Sequence, residues 1–370
     1  MNAKPEITDL TACRAFFAAW VFIYHVDLYL NFSAYLGPFA GLIRHGYLGV
    51  DGFFILSGLI LAQVHPELSA RVHMKNFNVV AKPLAFTDSL KFWGKRLARI
   101  YPVHLVTLLL LALIMLAGVA HGITPRDPQR FTLVSFVQNL LLVHGWGFAQ
   151  QGDWNYPSWS VSTEWAGYLL FPVLWYVVSY FDWYVALQFV IAGFTILGLI
   201  IVRNHNNLNL TFADGLIRFF PEFIIGISTT RFVPAWADNL PLRAFAIIGA
   251  VFVFIGASVG FDILTVLGLW FVLIAFAMQA DAKYPAMLGK RPILRRFGLL
   301  SYSFYMSFAI AELLLSQWFR YEAWTPASHG LIFAAGMLVI TLVLAIFLHV
   351  TVETPCRRAA DRWLSRPASQ

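Results

Sequence analysis

The segment CRAFFAAWVFIYHVD, Cys13–Asp27, has the apolar and aromatic composition of a membrane helix, yet it contains two polar side chains that such a helix rarely accepts. Arg14 lies near its start and His25 near its end. Ionisable side chains in a bilayer are costly, and they are therefore candidates for function. We predict an uncleaved first membrane span over 8–30 with a functional pair inside it.

The composition of the whole chain agrees with this interpretation. Of 370 residues, 59% are hydrophobic and 12% are charged, whereas soluble proteins have about 25% charged residues. Apolar segments of about 20 residues recur along the chain, which predicts an all-α integral membrane protein. We expect a single transmembrane domain over 1–370, with no appended soluble domain. The ten predicted spans are 8–30, 47–65, 100–120, 164–181, 184–202, 214–230, 242–259, 262–280, 297–318 and 329–351.

The distribution of basic residues predicts the orientation. If the N-terminus is cytoplasmic, the inside segments hold 19 of the 26 lysines and arginines, as the positive-inside rule requires. Both termini are then cytoplasmic. The basic residues that give the net charge of +7 lie in short loops between apolar spans, so this charge does not indicate nucleic-acid binding. The two cysteines, Cys13 and Cys356, stand at opposite ends and indicate neither a structural disulfide nor a metal site.

The spacing of Arg14 and His25 suggests a ligand. Eleven residues of helix make about three turns and a rise of about 16 Å, so both side chains lie on one face. Coenzyme A has phosphates that suit an arginine and a pantetheine arm of roughly this length. A histidine at the thioester is the usual general base for an attacking hydroxyl. In the alternative interpretation, Arg14 snorkels to the membrane surface and His25 packs against a carbonyl.

Two carboxylates are candidate partners of the imidazole. Asp51 lies at a depth similar to that of His25 and can fix its tautomer, as in a catalytic triad. The alternative is that Asp51 caps a helix or binds backbone amides. Glu164 at the start of the fourth span is the rival partner, unless it is only a first-turn acid of that helix. Ser57 is not predicted to carry an acyl group, because FILSG lacks a nucleophile elbow; close helix packing is favoured there.

For two further groups of residues, ligand binding and ordinary contact with the membrane are both possible interpretations. Arg96 and Arg99, at the inside end of the third span, can grip phosphate bidentately or can bind lipid headgroups. The aromatic residues from Trp146 to Trp159 can stack on sugar faces, but such residues also collect at membrane interfaces. The interface interpretation is slightly favoured.

Five segments, in this order, resemble motifs of the acyltransferase-3 family of membrane acyltransferases, and together they cover nearly the whole chain. The resemblance lies in Asp9, Arg14 and His25 of the first span, GYLGVDGFFILSG (46–58), KRLARIYP (95–102), WSVSTEWAGYLLFP (159–172) and GLLSYSFYMSF (298–308). The sequence departs from the family pattern at Ala15, where glycine is usual, at Trp165, which replaces a second acid, and at Phe308, where many members have histidine.

The resemblance implies a multi-pass protein of the bacterial inner membrane. It implies transfer of an acyl group, most often acetyl from acetyl-CoA, to a hydroxyl of a surface glycan, a lipid-linked sugar or a small natural product. It makes His25 catalytic and Arg14 a donor contact. The resemblance further implies that Arg96 and Arg99 hold the donor phosphates, and that Glu164 and Tyr168 lie on the acceptor side, with Trp159.

Two other functional classes remain compatible with the residues. Buried arginine and histidine also mark ion pathways, so a transporter or channel for acylated or anionic small molecules is the main alternative. A family member that has lost catalysis and serves as a scaffold or sensor is the other.

Overall fold

The computed structural model describes residues 7–70, 73–75, 78–123, 128–149, 152, 154–237, 241–281 and 285–364. The helices are α1 Thr8–Leu30, α2 Ala40–Arg44, α3 Gly49–Val64, α4 Phe86–Ala120, α5 Leu133–Leu140, α6 Trp159–Tyr180, α7 Trp183–Arg203, α8 Gly215–Trp236, α9 Leu242–Val259, α10 Asp262–Asp281, α11 Pro292–Tyr321, α12 Pro326–Leu348 and α13 Thr354–Leu364. A short antiparallel pair, β1 His73–Lys75 and β2 Asn78–Val80, precedes α4.

The helical membrane architecture predicted from the sequence is confirmed. A helix coincides with each of the ten predicted spans. Within the described residues, eight helical segments are long and apolar enough to cross a membrane, which supports a multi-pass membrane protein. The two that fall outside this group, α6 and α8, have polar residues that lower their hydropathy, including Glu164 and Arg218. The number of ten crossings and the cytoplasmic termini stay predictions.

Two helices begin before the membrane spans predicted within them. Helix α4 begins at Phe86, whereas the predicted span begins at 100, and the leucine, lysine, arginine and alanine residues before Ile100 are good helix formers. Helix α6 begins at Trp159, whereas the predicted span begins at 164, so the polar residues Ser160 and Ser162 already belong to the helix. In both cases a helix continues beyond its apolar stretch.

The chain divides into two compact units. Unit 1 comprises Met1–Asp88, Leu170–Asn209 and Ile217–Ser301, and unit 2 comprises Ser89–Leu169, Leu210–Leu216 and Tyr302–Gln370. Each is described below by itself, for those of its residues that the structure describes.

In unit 1, glycines allow α3 and α8 to pack backbone against backbone. A Cβ on Gly58 would lie 2.2 Å from the carbonyl oxygen of Phe223, and a Cβ on Gly226 would lie 2.0 Å from that of Ile55. Small residues at helix contacts are a recognised means of association in membranes, where apolar side chains gain little from leaving lipid. The close helix packing predicted at the Ser57–Gly58 pair is therefore confirmed.

This contact predicts a large difference between two glycine-to-alanine substitutions. Gly226→Ala should destabilise the protein by about 1–3 kcal/mol, because the methyl group forces α3 and α8 apart. Gly198→Ala is the control, since a Cβ there meets nothing within 4 Å, and it should be neutral or stabilise α7 by up to about 1 kcal/mol. Thermal unfolding in detergent measures both. Equal midpoints for the two variants would contradict the packing described here.

Unit 2 contains a fully buried polar cluster. The imidazoles of His104 and His144 stack in parallel with ring centroids 5.9 Å apart. His104 Nε2 donates to the Asn139 carbonyl at 2.8 Å, and His144 Nε2 lies 2.9 Å from Ser158 Oγ. Asn155 Nδ2 donates to a threonine hydroxyl of α4 at 3.1 Å. His144 lies in the connection between α5 and α6, where burial lowers its pKa to about 3 and keeps it neutral.

Candidate active site

The predicted site residues divide between the two units. Unit 1 contains three of them and unit 2 contains five. Those of unit 1 are Arg14, His25 and Asp51, and those of unit 2 are Arg96, Arg99, Trp159, Glu164 and Tyr168.

In unit 1, Arg14 and His25 lie on the single uninterrupted helix α1. At about 100° per residue, eleven residues leave their directions about 20° apart around the axis, so they share a face about 16 Å apart along it. Both side chains are partly buried. The His25 ring meets the edge of Tyr24 at a centroid distance of 5.1 Å, and Tyr24 meets Tyr47 at 5.7 Å. The imidazole thus adjoins an aromatic pair that leads toward α3.

Asp51 has a partner that the sequence did not suggest. The guanidinium of Arg218, on α8, donates from Nε to Asp51 Oδ1 at 3.1 Å and from Nη2 to Asp51 Oδ2. Nη2 also donates to the carbonyl of Tyr47 at 3.2 Å, and both charged side chains are fully buried. The contact of Asp51 with His25 that the sequence suggested stays a prediction. The carboxylate is held by a bidentate ion pair that joins α3 to α8, and it does not cap α3.

A second acid lies against this ion pair. Glu222 stands one turn after Arg218 on α8, is fully buried, and interacts electrostatically with both Asp51 and Arg218. The sequence did contain a signal for this pair. Arg218 and Glu222 are four positions apart in 214–230, the least apolar of the predicted spans. That spacing places them on one helix face.

The polar network of unit 1 extends from Tyr47 to α10. The Tyr47 hydroxyl donates to Asp262 Oδ2 at 2.7 Å, and the backbone N–H of Leu208 donates to the same oxygen at 2.7 Å. His45 Nε2 lies 3.9 Å from Asp262 Oδ1. Tyr47 is therefore fixed at both its hydroxyl and its carbonyl. This holds the aromatic surface beside Tyr24 in one position.

In unit 2, the structure brings four of the five predicted residues together. The charge of Arg96 interacts with Glu164, Arg99 and Tyr168, and that of Arg99 also interacts with Tyr168. Tyr168 donates its hydroxyl to Glu164 Oε1 at 2.6 Å. The Nε of Arg96 is buried without a hydrogen-bond partner among the described residues. A buried guanidinium N–H of this kind is a ready donor for an anionic ligand.

Glu164 and Tyr168 lie near Arg96, and their role on the acceptor side stays a prediction. The carbonyl of Tyr168 accepts from Trp93 Nε1 at 3.0 Å, which fixes this turn of α6 beside the helical turns that carry the two arginines. Because α6 begins at Trp159, Glu164 is not a first-turn acid, and that alternative is wrong. A carboxylate and a phenol thus lie in the same neighbourhood as the predicted phosphate-binding arginines.

The aromatic residues before α6 serve the interior of unit 2. Trp159 is only 6% exposed, so most of its indole packs inside the protein, and its role on the acceptor side stays a prediction. Trp146 Nε1 donates to the Ser162 carbonyl at 2.8 Å. Trp154 donates to Ser135 Oγ at 3.1 Å. These indoles order the connection between α5 and α6 by satisfying its polar groups.

Sequence reasoning missed the polar residues that α11 and the end of α12 add to unit 2. Residues His349–Glu353 form a π-helical turn, a rare feature that is frequent at functional sites. Glu353 accepts from Ser303 Oγ at 2.8 Å and lies 2.9 Å from His349 Nδ1. Its charge also interacts with Arg99. The signal in the sequence was a single acid, Glu353, two residues beyond the predicted last span.

The described residues contain no group of three or more histidine, cysteine, aspartate or glutamate side chains that could hold a metal ion. The groups that the predicted site residues offer for chemistry are imidazole, guanidinium, carboxylate and phenol.

A helical membrane protein with an arginine and a histidine three turns apart on one helix, and buried arginines elsewhere, has the features of a membrane acyltransferase. The chain belongs to the acyltransferase-3 family, since the family's acyltransferase-domain model matches residues 7–350. The resemblance stated from the motifs is therefore confirmed, and the protein is an O-acyltransferase.

Two relatives illustrate the range of the family. The chain is 28% identical to acyltransferase MdmB of Streptomyces mycarofaciens, over 96% of this chain and 93% of that protein. It is 24% identical to O-acetyltransferase OatA of Staphylococcus aureus, over 83% of this chain and 50% of OatA. The chain thus spans about half the length of OatA. No solved structure matches the chain.

Proposed function

We propose that this protein transfers an acyl group, acetyl in the first instance, from cytoplasmic acyl-CoA to a hydroxyl of a glycan or another secreted carbohydrate. The observation that carries the proposal is the family match over residues 7–350, combined with Arg14 and His25 on one face of α1. The relative OatA is an O-acetyltransferase, which supports acetyl as the group transferred. We place the protein in the bacterial inner membrane.

His25 is the proposed general base. The acceptor hydroxyl gives its proton to the imidazole while its oxygen attacks the acyl carbon of the thioester. The tetrahedral intermediate then collapses, the carbon–sulfur bond breaks, and the imidazolium returns the proton to the departing thiolate. The step is balanced without a covalent enzyme intermediate. Holding the base, the hydroxyl and the thioester in the reactive geometry also accelerates the reaction, in addition to the proton transfer itself.

Arginines are the proposed donor contacts. Arg14 stands about 16 Å from His25 along α1, a separation that suits the pantetheine arm between the phosphates of coenzyme A and its sulfur. Arg96 and Arg99 are proposed to bind phosphate as well, supported by the unpartnered buried Nε of Arg96. Glu164, through Tyr168, is proposed to orient this arginine pair.

Purified protein in liposomes tests the function against the transporter alternative. With acetyl-CoA on one side and a panel of carbohydrate hydroxyl acceptors present, we expect release of free CoA that depends on the acceptor, together with acetylated product. Flux of a labelled acyl compound across the bilayer, with no CoA released under any condition, would instead support a transporter. Mass spectrometry of surface glycans from a deletion strain then identifies the acceptor.

A further inference from the structure

Unit 1 contains a cavity of about 440 Å³ at the end of α8, the start of α9 and the end of α10. In the predicted orientation, this is the cytoplasmic end of these helices. Its volume falls within the range of about 300–1,000 Å³ that is usual for small-molecule sites. Apolar side chains form most of the wall, and two polar residues complete it. The residues that matter here are Pro241, Arg243, Ala246, Phe276, Gln279 and Met287.

Gln279 offers the cavity one kind of hydrogen bond. Its amide nitrogen donates to Asp9 Oδ2 at 3.1 Å and to the carbonyl of Pro285 at 2.6 Å, which uses both of its hydrogens. Gln279 is 6% exposed, so its position is fixed. The atom that remains for a ligand is the carbonyl oxygen Oε1. The cavity therefore favours a ligand whose buried part is flat and mostly apolar and carries one N–H or O–H donor for Gln279 Oε1.

Arg243, at the rim of the cavity, favours a negatively charged group on the ligand. It is the second residue of α9 and is exposed, so it can meet a charged group outside the apolar wall. The helix N-terminus beneath it adds to the positive potential. The carboxylate of Asp9 is held by backbone donors. It accepts from the backbone N–H groups of Met287, at 3.1 and 3.0 Å, and of Gly289, at 2.6 Å.

The cavity adjoins the helix that carries the proposed catalytic pair. Gln279 bonds directly to Asp9, which lies in the first turn of α1. Along that helix, Arg14 is about 7.5 Å from Asp9 and His25 is about 24 Å from it. A ligand in the cavity therefore lies beside the first turn of α1, within about two turns of Arg14 along the helix axis.

We propose that this cavity binds the adenine end of the acyl-CoA donor, an inference that rests on the proposed function. The exocyclic amino group donates to Gln279 Oε1, the ring packs on Phe276 and Met287, and a phosphate faces Arg243. The acyl chain of an anionic lipid would use the same apolar wall and the same arginine. It would leave the fixed carbonyl of Gln279 without a donor, which is why the geometry favours the nucleotide.

A cavity-filling variant tests the proposal without removing any hydrogen bond. Ala246→Trp should weaken binding of CoA to the purified protein by about tenfold or more, the equivalent of about 1.4 kcal/mol. It should leave the binding of 4′-phosphopantetheine, which lacks the nucleoside, unchanged. The matched control is Ile247→Trp, at the neighbouring position that is 63% exposed on α9, and it should alter neither ligand. Isothermal titration calorimetry in detergent measures each affinity.

The outcomes separate this inference from the function on which it rests. If the wild type does not bind CoA at all, the proposed donor is wrong. If the wild type binds CoA and Ala246→Trp binds it within twofold of the wild type, only the assignment of the cavity fails. Equal weakening of both ligands would show a general structural effect and would also overturn the assignment. Displacement of bound phospholipid by the tryptophan, with CoA affinity unchanged, would identify a lipid site instead.

Discussion

His25→Ala is expected to lower the rate of acyl transfer by about 10²–10⁴-fold, the usual contribution of a positioned general base. The variant should retain its affinity for CoA, because the proposed phosphate contacts come from arginines and not from the imidazole. Turnover of acetyl-CoA with a saturating acceptor gives the rate, and calorimetry gives the donor affinity. The combination of lost turnover and retained binding is the signature of a residue that acts in the chemical step.

His121→Ala is the control for this experiment. His121 follows α4, is exposed, and bonds only to the carbonyl of Ala117 among the described residues, so its loss should leave turnover within twofold of the wild type. Wild-type rates from a well-folded His25→Ala protein would eliminate the proposed base. They would direct attention to Glu164 and Tyr168, whose hydrogen-bonded pair is the next candidate for proton transfer.

The features predicted correctly from the sequence are those set by local spacing. The bounds 8–30 of α1 and 242–259 of α9 match the structure, because a uniform apolar run ends at polar or helix-terminating residues. The common face of Arg14 and His25 follows from helix geometry alone once α1 is continuous. Helix α4 begins at Phe86, before the predicted span at 100, because lysine and arginine are good helix formers and extend the helix beyond its apolar stretch.

The features that were missed are contacts between distant parts of the chain. Asp51 and Arg218 are 167 positions apart, and nothing in the pattern around either residue specifies the other. Likewise, Trp93 and the Tyr168 carbonyl are 75 positions apart, and their contact brings this turn of α6 beside the helix that carries Arg96 and Arg99. A single sequence contains the identities of such residues but not their pairing, which depends on how the helices pack.

Arg218→Leu is expected to destabilise the protein by about 3–5 kcal/mol, the usual result of removing one partner from a buried ion pair. The loss leaves Asp51 with an uncompensated charge and removes the cation that also faces Glu222. Thermal unfolding in detergent should show a large fall in the midpoint. The matched control is Arg231→Leu on the same helix. Its partly exposed guanidinium bonds, among the described residues, only the carbonyl of Phe181, and it should contribute less than about 1 kcal/mol.

The same pair decides whether Asp51 acts in structure or in catalysis. If the ion pair is structural, Asp51→Asn should lower stability, while the folded fraction retains most of its turnover. The double variant with Arg218→Leu should then be less unstable than the sum of the two single variants, because the second change removes the charge that the first left unpaired. A stable Asp51→Asn protein with turnover reduced as strongly as in His25→Ala would reverse this conclusion. It would return Asp51 to the role of partner to the imidazole, with Arg218 holding it in place.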